Sequence, residues 1–376
     1  MPGFELINHQ EKKAVEKLFN DGGVLFAHGF DNIRKNYHVR EFEKNFAKKV
    51  NSKYSLAVSS GTAAIKIALK ALGVKKGDEV ITQSFNFIAT IEAILDIGAI
   101  PRIINIDDTF NMDLSELKKN INKKTKVILP VHMLGVSAEL SEIKKISNHY
   151  NLKVLEDNCE ALGAKYKERY LGTIADIGVF SLDFGKTITT GEGGMITTNN
   201  HSYYKFCREY HDHGHLNLKN KTRGNDKARI YGFNYRMTEI QAVVGKVQLK
   251  KLDFILKESK NRYEILKKYI LQKFLIRSIP INSSQSHDVL IIRNINDKKI
   301  IKKIVKILNF KGFGSKNLPG AIKWHCSYYW SQALNYKERK KFFRTKRILC
   351  NSVAIPILLR KTLEDYKNLG KLLSKI

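Results

Sequence analysis

The stretch GVFSLDFGKTITTGEGGMITTNN, residues 178–200, decides how this chain is read. An apolar run ends at Ser181, a Gly- and Thr-rich segment carries Lys186, and Gly191-Glu192-Gly193-Gly194 turns into a second apolar run. IGVFS (177–181) and GMITT (194–198) are short, apolar and bounded by turn residues, as strands are. Lys186 is flanked by small and apolar residues, so partial desolvation is expected to lower its pKa. An amine so tuned is a nucleophile able to form a Schiff base. A solvated loop lysine is the ordinary alternative for any single lysine; the whole string speaks against it.

Two upstream segments add to this one. In VSSGTAAIKIAL (58–69) a strand runs through Ser-Gly-Thr straight into an amphipathic helix. Gly61 permits the tight turn, and Thr62 and Ala63 offer N–H groups at the helix start, a ready anion seat. The helix dipole adds only about 0.3–1 kcal/mol, so other donors must help. Taken alone, a Ser/Thr cap without a ligand is the better explanation of the pattern. In LKVLEDNCEALGA (152–164) an apolar strand ends at Glu156-Asp157. Carboxylates at the C-terminal end of a parallel strand lie where α/β folds bind ligands. There Asp157 can keep a pyridine nitrogen protonated by charge pairing, which makes the ring an electron sink. A solvated acid, or a metal-binding acid pair, is the other reading.

Working outward, short β-rich runs alternate with helical stretches through the first two thirds of the chain, the pattern of an α/β unit around a largely parallel sheet. Seven strands are expected, at 54–58, 78–82, 100–105, 126–131, 152–157, 177–181 and 194–198. Helices are expected at 62–72 and 139–150, with a long basic helix over 237–270 leading to a smaller C-terminal α/β unit. The division is expected at 1–245 and 246–376, with the first forty residues packing partly on the second unit.

Composition narrows the function classes. The 376 residues are 43% hydrophobic and 27% charged, as in a globular protein with a large core. MPGFELINHQEKK has no apolar signal-like core, and no apolar run approaches ~18 residues, so a cytoplasmic chain without a membrane partner is expected. The four cysteines form no CxxC pair, which suits reduced thiols. Sixty-six basic against 36 acidic residues give a formal charge of +30. The lysines fall between apolar residues at helical spacing, as on solvated faces, and no nucleic-acid reader motif is present. The run HDHGH places His211, His213 and His215 in alternation, but no further ligand follows at a recognisable spacing, so no metal is expected.

The string Ser181-Leu-Asp-Phe-Gly-Lys186-Thr-Ile-Thr-Thr-Gly-Glu-Gly-Gly resembles the DegT/StrS family of sugar aminotransferases, whose pattern is Ser, a short gap, the cofactor lysine and T-x-G-E-G-G. The resemblance implies the fold type I of pyridoxal-phosphate-dependent transferases (aspartate aminotransferase-like), with a seven-stranded, mostly parallel sheet and a smaller C-terminal unit. It implies Lys186 as cofactor lysine and proton shuttle, and Asp157 as partner of the pyridine nitrogen. It implies Glu160 on the ring-hydroxyl side, Gly61, Thr62 and Ser181 around the phosphate, with Ala63 beside them, and Phe87 of SFNFIAT stacked on the ring. In YGFNYRMTEIQAVVG (231–245), Asn234 resembles a residue that reaches the phosphate of a neighbouring subunit, which implies a homodimer with a shared site. Departures are Asp183 where His is frequent, Gln83-Ser84 where Pro is common, and Asn86 for a frequent Thr.

The resemblance further implies glutamate as donor, released as 2-oxoglutarate, and a sugar aldehyde or ketone as acceptor. MPGFEL, SLDFGKTIT, HDHGH and the RG before GFNYR are most similar to the branch that makes 8-amino-3,8-dideoxy-manno-octulosonate, a lipopolysaccharide sugar. Arg223 and Arg236 are cations available for that substrate's carboxylate. A nucleotide-linked 4-keto-6-deoxy-sugar as acceptor (the perosamine type) is the rival reading, and a basic non-catalytic binding protein a more distant one.

Overall fold

The computed structural model describes residues 2–218, 221 and 223–376. The strands are β1 (Tyr54–Val58), β2 (Glu79–Gln83), β3 (Ile100–Ile104), β4 (Thr125–Leu129), β5 (Lys153–Asp157), β6 (Lys165–Tyr166), β7 (Arg169–Tyr170), β8 (Ile177–Ser181), β9 (Gly194–Thr198), β10 (Leu275–Ile276), β11 (Ser283–Ser284), β12 (Val289–Arg293) and β13 (Val353–Pro356). The helices are α1 (Pro2–Glu5), α2 (His9–Asn20), α3 (His38–Val50), α4 (Gly61–Ala71), α5 (Ala89–Asp96), α6 (Leu114–Asn120), α7 (Leu140–His149), α8 (His201–Tyr210), α9 (Glu239–Ile270), α10 (Lys298–Phe310), α11 (Ile322–His325), α12 (Tyr336–Lys340), α13 (Phe343–Cys350) and α14 (Leu363–Leu373).

Seven strands form one sheet in the order β1-β9-β8-β5-β4-β2-β3. The pairs β2–β3, β2–β4, β4–β5 and β5–β8 are parallel, while β9 runs antiparallel to both β1 and β8. The central strands are buried on both faces, so buried and exposed residues do not alternate along them. The expected 78–82 strand lies one residue later, at Glu79–Gln83. The expected 126–131 strand stops at Leu129, because Pro130 has no N–H to give the ladder.

α9 begins at Glu239 because Thr238 and Gln241 form a capping box: each side chain takes the other's backbone N–H. Its first half buries Ala242, Leu249 and Leu252 against Phe42 and Phe46 of α3. Its second half buries Tyr263, Leu266 and Ile270 against Leu290 and Ile292 of β12, Val353 and Ile355 of β13, and Leu369 of α14. One helix thus runs from the large sheet to the three-stranded sheet β10-β12-β13, and position 245/246 falls inside it. Among the described residues no helix is long and apolar enough to cross a membrane.

Parallel strands bring their C-terminal ends to one edge. β1 leads there into Ser60–Thr62, β2 into Phe87, β5 ends on Asp157, and β8 leads into Lys186. Sheet geometry therefore gathers residues more than a hundred positions apart.

Candidate active site

The seat at the start of α4 is built closely. The Ser60 side chain and carbonyl take the N–H groups of Ala63 and Ala64. The N–H groups of Gly61 and Thr62 are left, among the described residues, without a protein acceptor. A Cβ on Gly61 would lie 2.9 Å from Ser181 Cβ and 3.1 Å from Cys159 Sγ, so only glycine lets the helix start this near β8. Ala63 is buried and Thr62 is exposed at the mouth of the seat. Two free helix-start N–H groups beside Ser181 suit a phosphate.

Asp157 and Glu156 are neighbours with opposite tasks, because successive strand residues face opposite sides. Asp157, 2% exposed, accepts from Thr90 Oγ1 at 3.1 Å and from the Cys159 N–H at 3.0 Å. Glu156 faces the other way and accepts from the N–H groups of Gly172 (2.8 Å), Ile174 (2.8 Å) and Ala175 (2.6 Å). His132 Nδ1 accepts from the Ala138 N–H, so its Nε2 carries the proton that faces Glu156 Oε2 at 3.2 Å. Burial pushes the Glu156 pKa up, but His132 and these N–H donors outweigh it and hold the group below its ordinary value. Glu156 is a bracket for the 172–175 turn, which removes the acid-pair metal reading.

Lys186 Nζ lies 3.6 Å from Glu160 Oε1, and Glu160 Oε2 accepts from the Leu134 N–H at 3.3 Å. Burial acts to lower the Lys186 pKa, as the sequence suggested. Glu160, Cys159, Asp183 and Asp157 act against it and win, so the amine is raised above its usual value. The expectation of a depressed lysine is thereby corrected: acidic groups from the end of β5 and the turn after it, and from the segment after β8, outweigh desolvation. Glu160 responds in the opposite sense. Burial would raise it, but Lys186, Lys316 and His325 bring it down to about 2.

Lys316 and His325 were not singled out from the sequence. Lys316, 8% exposed, donates to Asp288 Oδ2 at 2.6 Å. The His325 ring lies 5.5 Å from the Phe87 ring, and burial foremost lowers its pKa. Phe87 itself is 47% exposed, an open ring. Thr90, which supports Asp157, was within reach, since it stands three residues after Phe87 in the quoted SFNFIAT.

Asn234 does not join this cluster. It lies exposed on a segment that pairs with the end of β1, where the Ser59 N–H donates to the Tyr235 carbonyl at 2.8 Å. Among the described residues no contact links Asn234 to Lys186, Asp157 or Glu160. Arg236 Nη1 pairs with buried Asp212 at 2.5 Å instead of facing the site, and the Arg223 side chain lies outside the described residues. The three histidines diverge. His211 is buried, with Nδ1 2.6 Å from the Arg208 carbonyl and its pKa lowered by burial to about 4. His213 is exposed, and His215 faces Asp226 at 3.7 Å. Among the described residues no group of three or more His, Cys, Asp or Glu could hold a metal ion.

The donor set fits pyridoxal phosphate. The free N–H groups at α4 beside Ser181 would take the phosphate, Lys186 the aldehyde carbon, and Asp157 the ring nitrogen.

Residues 27–374 match the profile of the DegT/DnrJ/EryC1/StrS aminotransferase family. The chain is 38% identical over 237 residues to a GDP-perosamine synthase of Escherichia coli O157:H7, covering 63% of this chain and 64% of that protein. It is 36% identical over 238 residues to the 3-oxo-glucose-6-phosphate:glutamate aminotransferase of Bacillus subtilis, covering 62% and 51%. These alignments thus span about half to two thirds of the relatives' own lengths. An aminotransferase structure from Psychrobacter cryohalolentis superposes with a TM-score of 0.86 at 26% identity, covering 98% of this chain and 96% of that one.

Proposed function

Since the chain belongs to the DegT/DnrJ/EryC1/StrS aminotransferase family, we propose that it transfers an amino group from glutamate to a keto or aldehyde sugar, with pyridoxal phosphate held at Lys186. The observation that carries this reading is the meeting of Lys186, Glu160 and buried Asp157 at the strand ends, beside an open helix start. Bound there, the cofactor supplies an electron sink for the carbon that loses its proton. Lys186 Nζ is the base that takes the proton from glutamate Cα and later returns one to the sugar carbon. Asp157, fixed by Thr90 and the Cys159 N–H, keeps a cationic ring nitrogen charged. Phe87, its ring 5.5 Å from that of His325, is the aromatic that would stack on the cofactor ring.

For the acceptor, the relatives favour a nucleotide-linked 4-keto-6-deoxy-sugar, since one of them is named for making GDP-perosamine. The second reading is the C8 aldehyde of an octulosonate in lipopolysaccharide synthesis, supported by SLDFGKTIT and HDHGH. We further propose a homodimer in which Asn234 serves the partner's site, because its segment exposes Tyr231 (71%) and Phe233 (41%).

The test is the absorption spectrum of the cofactor-loaded protein, before and after glutamate. Loss of the lysine-linked band with stoichiometric 2-oxoglutarate is expected, and Lys186→Ala is expected to show neither. A loaded protein indifferent to glutamate would overturn the donor, and the absence of a lysine-linked band would overturn the role of Lys186. Offering each sugar class to the aminated protein then decides the acceptor.

A further inference from the structure

We propose that the N-terminal arm, Pro2–Leu6, is a positioning element for Lys186; the inference rests on the proposed role of that lysine. The arm meets the lysine loop on its backbone side. The Gly3 N–H donates to the Lys186 carbonyl at 3.2 Å, and among the described residues this carbonyl has no other donor. A Cβ at position 3 would stand 2.8 Å from that carbonyl oxygen and 3.0 Å from Ile188 Cα, so the approach requires glycine. Next along the arm, the Phe4 ring stacks on Phe184 at 5.0 Å and 19°, two residues ahead of the lysine.

The arm is itself anchored at its far end. Glu5, whose side chain is 3% exposed, accepts from the N–H groups of Leu359 (2.5 Å) and Arg360 (3.1 Å), and pairs with the Arg360 guanidinium at 3.5 Å. Lys251 of α9 donates to the Leu6 carbonyl at 2.7 Å and to Glu11 at 2.6 Å. Gln248, one turn earlier, donates to Glu11 at 2.8 Å and accepts from the Thr189 N–H at 3.4 Å. The arm therefore ties the 184–189 loop to α9 and to the segment before α14. Inside the loop itself, among the described residues, the Asp183 carbonyl and carboxylate alone hold the Lys186 and Gly185 N–H groups.

The consequence is geometric. Lys186 must place Nζ within a fraction of an ångström of two successive partners, and its backbone is pinned from one side by residues over 180 positions away. A displacement near 1 Å at such a residue costs roughly 100-fold in rate.

Three readouts test this on the full chain: kcat against KM for glutamate, the pH midpoint of the lysine-linked absorption band, and hydrogen exchange over 183–190 in cofactor-free protein. Gly3→Ala and Glu5→Ala are expected to lower kcat roughly 10- to 100-fold with KM little changed, to move the midpoint and to speed exchange. Glu5→Gln keeps an acceptor for Leu359 and is expected to restore wild-type behaviour. Ile304→Val, on the buried face of α10 in the core around β12 and β13, is the stability control: a lower thermal midpoint with all three readouts unchanged. Should Gly3→Ala not fold, the Glu5→Ala and Glu5→Gln pair decides by the same readouts. Arm variants that behave like Ile304→Val would overturn the proposal. If wild-type protein shows no lysine-linked band, the role of Lys186 fails, and exchange over 183–190 still decides whether the arm holds the loop.

Discussion

Seen from Lys186, one wall of the site is made of strand ends and the other of an irregular stretch between α10 and α13. On the first wall, Asp157 and the start of α4 are fixed by the sheet ladder and by backbone N–H groups. On the second, Lys316 and His325 sit in loop and short helix; Lys316 is steadied by a buried pair with Asp288, and His325 by the Ala321 carbonyl. The strand wall holds its groups with structure that the fold needs anyway. The loop wall holds charge with charge, and a pair of side chains can be altered without disturbing the sheet. Under the proposed function, the difference puts the chemistry on the first wall and adjustment to substrate on the second.

The strongest way to break this comparison is to spoil the strand wall. Asp157→Asn keeps the shape and the Thr90 contact but removes the charge. Losing one partner of a buried charge pair costs about 3–5 kcal/mol, or roughly 100- to 5,000-fold in rate. Stopped-flow rates of the glutamate half-reaction should fall by that factor while the thermal midpoint of cofactor-free protein holds. A loss below about fivefold would remove Asp157 from the chemistry.

The loop wall should fail differently. Lys316→Met leaves Asp288 buried and unpaired, at a cost of about 3 kcal/mol to folding. The double variant Lys316→Met/Asp288→Asn removes both charges and should recover most of that stability in denaturant unfolding. Activity should suffer mainly through KM, since neither residue is placed at the proton transfer. A kcat loss matching that of Asp157→Asn would erase the distinction between the walls.

The same contrast explains what could be read from the chain. β1, β8 and β9 lie at the expected residues, because apolar runs bounded by Gly, Ser and Asn leave little choice of register. Ser60-Gly61-Thr62 and the Lys186 string were legible because a strand–turn–helix needs particular residues in a short span. The separate duties of Glu156 and Asp157 follow from strand alternation, yet a pair of adjacent acids invites a joint reading until the 172–175 turn is seen closing on Glu156. Lys316 and His325 carry no local signal: their segment has neither period, and only the packing of β12 and β13 brings it across. The sign of the Lys186 shift was hidden for the same reason, since its acids come from positions 157, 160 and 183 and act only once folded together.

That sign leads to the smallest effect. Glu160, held near 2, is ionised at every pH where the protein is handled. A carboxylate with a depressed folded-state pKa adds stability above its unfolded value and loses it only as pH falls toward 2, so thermal stability should not move with this group between pH 6 and 9. Cofactor capture should move. With the Lys186 pKa raised, the free amine is scarce at neutral pH, and the rate at which cofactor-free protein takes up pyridoxal phosphate should climb about tenfold per pH unit. Glu160→Gln removes the nearest negative charge, lowers the lysine pKa and should speed capture several-fold at pH 7.5. The two curves should converge at high pH, where the amine is free in both. Equal rates at pH 7.5 would show that the other acids suffice to hold the proton on Lys186, and that Glu160 serves the ring rather than the lysine.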